Sequence, residues 1–123
     1  MMTDSELLHY ARQILLSDVD VDGQEQLKQS HVVILGLGGL GSPLALYLGA
    51  AGVGRLTLVD GDTVDATNLH RQVIHSQNSL KQLKVESARE RILGINPWIE
   101  IDVIAAHADD QNVDRVISSA QCV

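Results

Sequence analysis

The run Gly36-Leu37-Gly38-Gly39-Leu40-Gly41, directly after the apolar stretch Val32-Val33-Ile34-Leu35, constrains this chain more than any other feature. A β-branched run that opens into a glycine-rich turn, then Ser42-Pro43 and a further apolar segment, reads as strand, phosphate loop and helix. Gly36, Gly38 and Gly41 match the G-x-G-x-x-G spacing: the first glycine allows the tight turn, the second lets backbone approach a phosphate, and the third lets helix pack on strand. The helix start then offers unpaired N–H groups and the positive end of its dipole to an anion. A glycine turn without any ligand has the same residues, so the loop alone names no nucleotide.

The remainder of the sequence suits that start. Hydrophobic residues make up 45% of the 123, aromatic residues only 2%, and phenylalanine is absent. A core of Leu, Ile, Val and Ala is what a parallel α/β sheet uses, and the length has room for one small domain. The formal net charge of −7 leaves no basic stripe for nucleic acid. No stretch approaches a membrane span, and the acidic N-terminus lacks the parts of a signal peptide, so the expected location is cytoplasmic. The single cysteine, Cys122, excludes an internal disulfide and a multi-cysteine metal site within these residues.

Residues 4–16 open with capping-type residues and place Leu7, Leu8, Ala11, Ile14 and Leu15 at helical spacing, with Arg12 off that stripe. A solvated helix charge is the plain reading of Arg12. The acidic segment 18–23 is expected to be a loop; it lacks the glutamate of a calcium loop, its twelfth position being Gln29. A second short helix is expected over 24–30, a first strand over 31–35, and a largely buried helix over 42–51 with Pro43 in its first turn. A second strand over 55–59 ends at Asp60, nineteen positions after Gly41. An acidic side chain there can accept hydrogen bonds from ribose hydroxyls, although an aspartate before Gly61 also simply forms a turn.

The following connection, residues 60–72, is long and acidic at first, and it ends in Asn68-Leu69-His70-Arg71-Gln72. Loops of this length inside compact domains are often functional. A helix over 81–93, opened by Lys81 and Lys84, a third strand over 98–105, and a helix capped by Asp109-Asp110 and running to Ser119 complete the pattern. Residues 121–123 read as the first residues of a fourth strand, with Cys122 as a small buried side chain. The expected architecture is therefore α/β: a Rossmann-like nucleotide-binding fold with a largely parallel sheet and two N-terminal helices, breaking off as the fourth strand begins. Residues 1–30 form a helical arm and 31–123 the nucleotide-binding core of a single domain.

A dinucleotide dehydrogenase would account for the glycines and Asp60, but gives no reason for Asn68 to Gln72 or the downstream lysine. Those residues, together with Tyr10-Ala11-Arg12-Gln13-Ile14-Leu15, the glycine loop, Gly52-Val53-Gly54, Asp60-Gly61-Asp62 and Lys84-Val85-Glu86-Ser87-Ala88, resemble the MoeB/ThiF/HesA family. This family is the bacterial relative of the ubiquitin-activating enzymes. The resemblance covers nearly the whole chain and is strongest to members that activate the small subunit of molybdopterin synthase, followed by those that activate the thiamine sulfur carrier.

The resemblance implies adenylation. The C-terminal glycine carboxylate of a ubiquitin-like sulfur carrier attacks the α-phosphorus of ATP, pyrophosphate leaves, and an acyl adenylate remains for sulfur transfer. Carried onto this sequence, Gly36, Gly38, Gly39 and Gly41 lie against the nucleotide, and Asp60, with Asp62 nearby, holds the ribose. Thr67, Asn68, Leu69, His70, Arg71 and Gln72 line the phosphates, and Lys84 stabilises charge as pyrophosphate departs. Arg12 reaches across a homodimer to the partner's triphosphate, where a planar guanidinium suits bidentate contact. Arg71, Lys84 and Arg12 are thus the expected catalytic set. His70 stands where the family often has glutamine, and Lys81 competes with Lys84 on charge alone. His9, His31, His75 and His107 have no ligand-like spacing.

ATP and Mg2+ are the implied cofactors, with no metal ligand expected among residues 1–123. The family's magnesium aspartate, its Cys-x-x-Cys zinc ligands and its downstream cysteine all follow the fourth strand, so adenylation by these residues alone is not expected. Two readings from other classes remain open on the residues: a nicotinamide- or flavin-binding oxidoreductase domain, and a non-catalytic Rossmann fragment.

Overall fold

The computed structural model describes residues 1–123. Three parallel strands, β1 (His31–Leu35), β2 (Arg55–Val59) and β3 (Glu100–Ile104), form a sheet in the order β1-β2-β3. His31 lies opposite Arg55, which lies opposite Glu100, so the strands are in step. On the free edge of β1, Cys122 forms an isolated parallel bridge with Val32, and the Val33 N–H donates to the Cys122 carbonyl at 3.0 Å. The chain therefore returns to the far side of β1, reversing the direction in which strands were added. Such a reversal is the switch point beside which open α/β sheets bind ligands.

Two crossover helices, α4 (Gly41–Ala51) and α5 (Lys84–Ile95), connect β1 to β2 and β2 to β3. Right-handed crossovers progressing in one direction put both helices on one face of the sheet. Ile34, Leu56 and Leu58 from the strands meet Ala45, Val85, Ala88 and Ile92 there, with Val32, Ile101 and Val103 packed around them. The helices touch closely: a Cβ on Gly49 would stand 2.4 Å from Ile92 Cγ2. Alternate strand residues point to the other face, where α6 (Val113–Ile117) lies over His31, Thr57, Asp102 and Ile104 across a cavity of about 450 Å³. That face is polar. His31 is buried there, with Nε2 2.7 Å from Thr57 Oγ1, and Arg55 pairs with Asp102 at 2.7 Å.

The N-terminal arm is more broken than its periodicity predicts. The expected helix over 4–16 is two, α1 (Asp4–His9) and α2 (Ala11–Ile14), interrupted at Tyr10. Tyr10 leaves helical geometry because its ring is buried and its hydroxyl accepts a hydrogen bond from Asn96 Nδ2 at 2.7 Å. Burial raises the pKa of that phenol, against the Asn96 hydrogen bond. The acidic loop expected over 18–23 is a loop only as far as Val19: α3 runs Asp20–Gln29, so the aspartates sit in its first turn, where carboxylates favour the helix dipole. Thr3 and Glu6 form a capping box on α1, and Glu6 is buried against Lys28 Nζ at 2.9 Å.

Other boundaries shift for local reasons. The third strand is shorter than 98–105, since Asn96 Oδ1 accepts from the Trp98 N–H and holds a turn before Glu100. Asp109 caps a turn, accepting from the Gln111 and Asn112 N–H groups, and the helix begins only at Val113. Helix α4 is less buried than expected: it is apolar all round, but sheet and α5 cover one side only, leaving Leu44 and Tyr47 exposed. Cys122 is exposed as well, contrary to expectation, because a single bridge to β1 carries it and no element packs over it.

Candidate nucleotide site

The carboxyl ends of β1 and β2 carry the site, and one aspartate assembles it. Asp60 follows β2 directly and is 7% exposed. Its Oδ2 accepts the Leu37 N–H at 2.8 Å and its Oδ1 accepts the Asp62 N–H at 2.8 Å, so one carboxylate ties the glycine loop to the loop after β2. Two backbone N–H bonds fill about half of a carboxylate's four acceptor positions. The remaining ones are still able to accept hydroxyl groups.

Gly36 takes a positive φ of 94°, the left-handed conformation that a side chain would strain. Gly41 has the opposite constraint: a Cβ there would lie 1.8 Å from the Gly36 carbonyl oxygen, so the loop closes on itself only without one. Between them the backbone is unoccupied. The Gly36 N–H goes to the Val59 carbonyl and the Leu37 N–H to Asp60, but the N–H groups of Gly38, Gly39, Leu40 and Gly41 have no acceptor in the chain. No side chain caps α4 at Leu40. Four successive free donors at a helix start form an anion cradle.

Charged side chains border that cradle. The aliphatic part of Arg71 lies along Gly39, with Cδ 3.5 Å from where a Cβ would stand, and its guanidinium is exposed. Arg71 Nη1 is 3.2 Å from His70 Nε2 and 3.4 Å from the Thr67 carbonyl. Gln72 is buried beside Gly38, and its Oε1 has no partner. Asn68 heads this turn: its carbonyl accepts the N–H groups of Arg71 and Gln72. A 3-10 turn, Ala66–Asn68, is capped by Asp65, whose pKa is lowered by hydrogen bonds from the Thr67 hydroxyl and N–H. Leu69 is half-buried at the end of the turn.

Lys84 opens α5 with its side chain 8% exposed, and its Nζ is 4.0 Å from Asp62 Oδ2. Lys81, its competitor on charge, is exposed at a positive φ of 68° outside the helix. Arg12 is elsewhere. Tyr10 and Gln13 turn inward on α2, leaving Arg12 exposed without an ion pair and without a contact to Asp60, Arg71 or Lys84 of its own chain.

Two histidines without a sequence assignment belong to this region. His75 is buried with Nδ1 2.8 Å from Ser87 Oγ, while Nε2 has no partner. Desolvation lowers its pKa, and Lys84 adds to that effect, while the Leu37 backbone and Asp60 oppose it. A polar residue three positions after Gln72, beside the buried Ile74, was the available signal. His107 lies past β3, with Nε2 3.3 Å from Asp62 Oδ1. The rule that ligands bind at carboxyl strand ends points to that segment as well.

The metal reading is poorly served. Asp60, Asp62 and His107 bring ligand atoms within 4.8 Å of one another. However, both Asp60 oxygens face backbone N–H groups and the Lys84 ammonium stands 4.0 Å from Asp62, which disfavours a dication. With Cys122 the sole cysteine, these residues do not fit a zinc site either.

The chain resembles known proteins in both sequence and structure. The chain matches the ThiF family over residues 10–123. It is 49% identical over 122 residues to the molybdopterin-synthase adenylyltransferase of Escherichia coli, covering 99% of this chain and 49% of that protein. The Haemophilus influenzae protein of the same name is 50% identical over 116 residues, covering 94% of this chain and 48% of its own length. The chain thus spans about half the length of these relatives. Among solved structures, the tRNA N6-threonylcarbamoyladenosine dehydratase TcdA of E. coli, in complex with ATP, superposes with a TM-score of 0.91 at 28% identity, covering 98% of this chain and 49% of that one. No helix is long and apolar enough to cross a membrane. The glycine loop, the Asp60 clasp and these likenesses agree: the chain belongs to the ThiF family.

Proposed function

We propose that this chain is the nucleotide-binding half of an enzyme that adenylates the C-terminal glycine of a ubiquitin-like sulfur-carrier protein with ATP, in molybdopterin biosynthesis. The observation that carries the reading is the row of four unpartnered N–H groups at Gly38 to Gly41, bordered by Arg71 and clasped by Asp60 to the loop before Lys84. A dehydrogenase needs the loop and the aspartate, but not these two cations. The likeness to molybdopterin-synthase adenylyltransferases at 49% and 50% identity supports the choice of pathway.

The chemistry is positioning plus charge stabilisation. A carrier carboxylate oxygen forms a bond to the α-phosphorus, the bond from that phosphorus to the bridging oxygen breaks, and pyrophosphate takes the electron pair. Negative charge grows on the phosphate oxygens, and preorganised donors in a dry site lower its cost. The loop N–H groups and Arg71 would bind phosphate, Asp60 would accept the ribose hydroxyls, and Asn68 and Gln72 would shape the turn that presents Arg71. Lys84, nearly buried, would meet the developing charge. Magnesium would accompany the triphosphate, with no ligand among residues 1–123.

The enzyme is read as a cytoplasmic homodimer in which Arg12 completes the partner's site, with residues 1–30 as the arm and 31–123 as the core. Exposed Leu15 and Leu16 beside Arg12, and exposed Leu40 before α4 with Leu44 and Tyr47 on it, support the dimer, since solvated apolar groups of this size favour burial. The test is ATP–pyrophosphate exchange by the full-length protein with a carrier ending in glycine. Carrier-dependent exchange is expected. Preferential binding of NAD over ATP would overturn the reading.

A further inference from the structure

The segment directly after Arg71, residues 72–75, makes more contacts than a connection needs. Its backbone is fixed first: the Ile74 N–H donates to Ser42 Oγ in the first turn of α4 at 2.9 Å, and the His75 N–H donates to the Gln72 carbonyl at 3.1 Å. Gln72 and His75 thus stand three residues apart on one turn, and both side chains are buried. Yet Gln72 Oε1 and His75 Nε2 are the two buried side-chain polar atoms of the chain that have no hydrogen-bond partner. Such an atom costs about 1–3 kcal/mol, so a pair of them on neighbouring side chains calls for an explanation other than stability.

The rest of the ring says what Nε2 carries. Nδ1 lies 2.8 Å from Ser87 Oγ, and Ser87 is buried on α5 with His75 as the one partner of its hydroxyl. A buried hydroxyl with one partner donates to it, since its proton is otherwise orphaned. Nδ1 therefore accepts, which puts the ring proton on Nε2. An N–H there can only donate, and the acceptor without a partner is Gln72 Oε1. The Gln72 amide is turned to suit: its Nε2 lies toward the glycine loop, 3.9 Å from where a Cβ on Gly38 would stand.

We propose that His75 is a positioning residue for the phosphate site: anchored by Ser87 at Nδ1, it directs its Nε2–H to Gln72 Oε1 when phosphate binds, and so aims the Gln72 amide N–H groups at the anion beside Gly38. The contact closes on ligand binding, as hydrogen bonds of functional sites often do. His75 itself touches no ligand. The inference rests on the ATP reading above and adds to the backbone donors of Gly38 to Gly41 a side-chain donor whose orientation is set from α5.

Calorimetric titration of the full-length protein with ATP and with inorganic tripolyphosphate tests it, using two substitutions that divide the ring. Asparagine places its amide where Nδ1 stands, whereas glutamine reaches to the place of Nε2. His75→Asn should keep the Ser87 contact and the urea midpoint, yet weaken ATP and tripolyphosphate alike, roughly three- to tenfold for one oriented donor. His75→Gln should lose the Ser87 contact and some stability, yet bind both ligands more tightly than His75→Asn does. Gln72→Ala should weaken both ligands similarly and cost nothing further in the His75→Asn background, because one amide carries both effects. If His75→Asn binds ATP as tightly as the unmodified protein while Arg71→Ala still weakens ATP, the role of His75 is wrong and the ATP reading stands. Losses that add in the double variant, or a His75→Gln protein that binds no better than His75→Asn, would also overturn it and leave His75 as a packing residue. Failure of the unmodified protein to bind ATP would overturn both.

Discussion

At its C-terminal end α4 commits the carbonyls of Gly49 and Ala51 to side-chain amides. Asn96 Nδ2 donates to Gly49 at 2.9 Å, and Gln13 Nε2 and Gln24 Nε2 donate to Ala51 at 2.7 and 3.0 Å. At its N-terminal end the N–H groups of Gly38 to Gly41 meet no acceptor at all. Both ends of a helix leave backbone groups without intrahelical partners. One end is closed by distant residues from the arm and α5, while the other is left for a ligand. The difference separates stability from function along a single helix, and substitutions at the two ends should therefore fail in different assays.

Asp60→Ala should have the largest effect, because it touches both properties. It leaves the buried Leu37 N–H unpaired, at about 1.5–3 kcal/mol, and releases the Asp62 N–H of the exposed loop to water, so urea denaturation should show a loss of roughly 2–3 kcal/mol together with loss of ATP binding. Arg71→Ala comes next and acts on one property only. An exposed guanidinium contributes little to folding, so the stability change should stay within about 0.5 kcal/mol, while ATP affinity falls about ten- to a hundredfold. Gln24→Ala at the opposite end should reverse that pattern, costing about 1–3 kcal/mol in denaturation with ATP affinity unchanged. If Gln24→Ala weakened ATP as much as Arg71→Ala does, the separation of the two ends would be wrong.

The smallest effect is one of pH. Lys28 hydrogen-bonds the buried Glu6 and holds its carboxyl below its ordinary value of 4.5. A depressed carboxylate pKa contributes stability that is complete above the ordinary value and lost as pH falls through the folded value. Stability should therefore drop on acidification in the unmodified chain, and Glu6→Gln should flatten that part of the profile.

Much of this was legible in the residues because local chemistry fixed it. The extents of β1 and β2 follow from β-branched runs bounded by glycine and charge, and the Gly36–Gly41 spacing places the loop at a strand end. Arg71, Gln72 and Lys84 could be placed at the crevice from their resemblance to a known family, which periodicity alone would not have done. The arm was less legible. Tyr10 breaks its helix to reach Asn96, 86 residues away, and no local pattern encodes a contact of that range. The same holds for His107, which faces Asp62 only because β3 runs parallel to β2 and delivers it there. Helix α4 looked buried because burial was read from composition, whereas the sheet and α5 cover only one of its sides.

The central claim is that the free donors of Gly38 to Gly41 bind nucleotide phosphate, and amide NMR during an ATP titration tests it most directly. The account predicts that the backbone N–H resonances of Gly38, Gly39, Leu40 and Gly41 move together and saturate with ATP, while those of Gly52 and Val53 at the closed end of α4 stay in place. Saturable binding that leaves the four loop amides unmoved would contradict it.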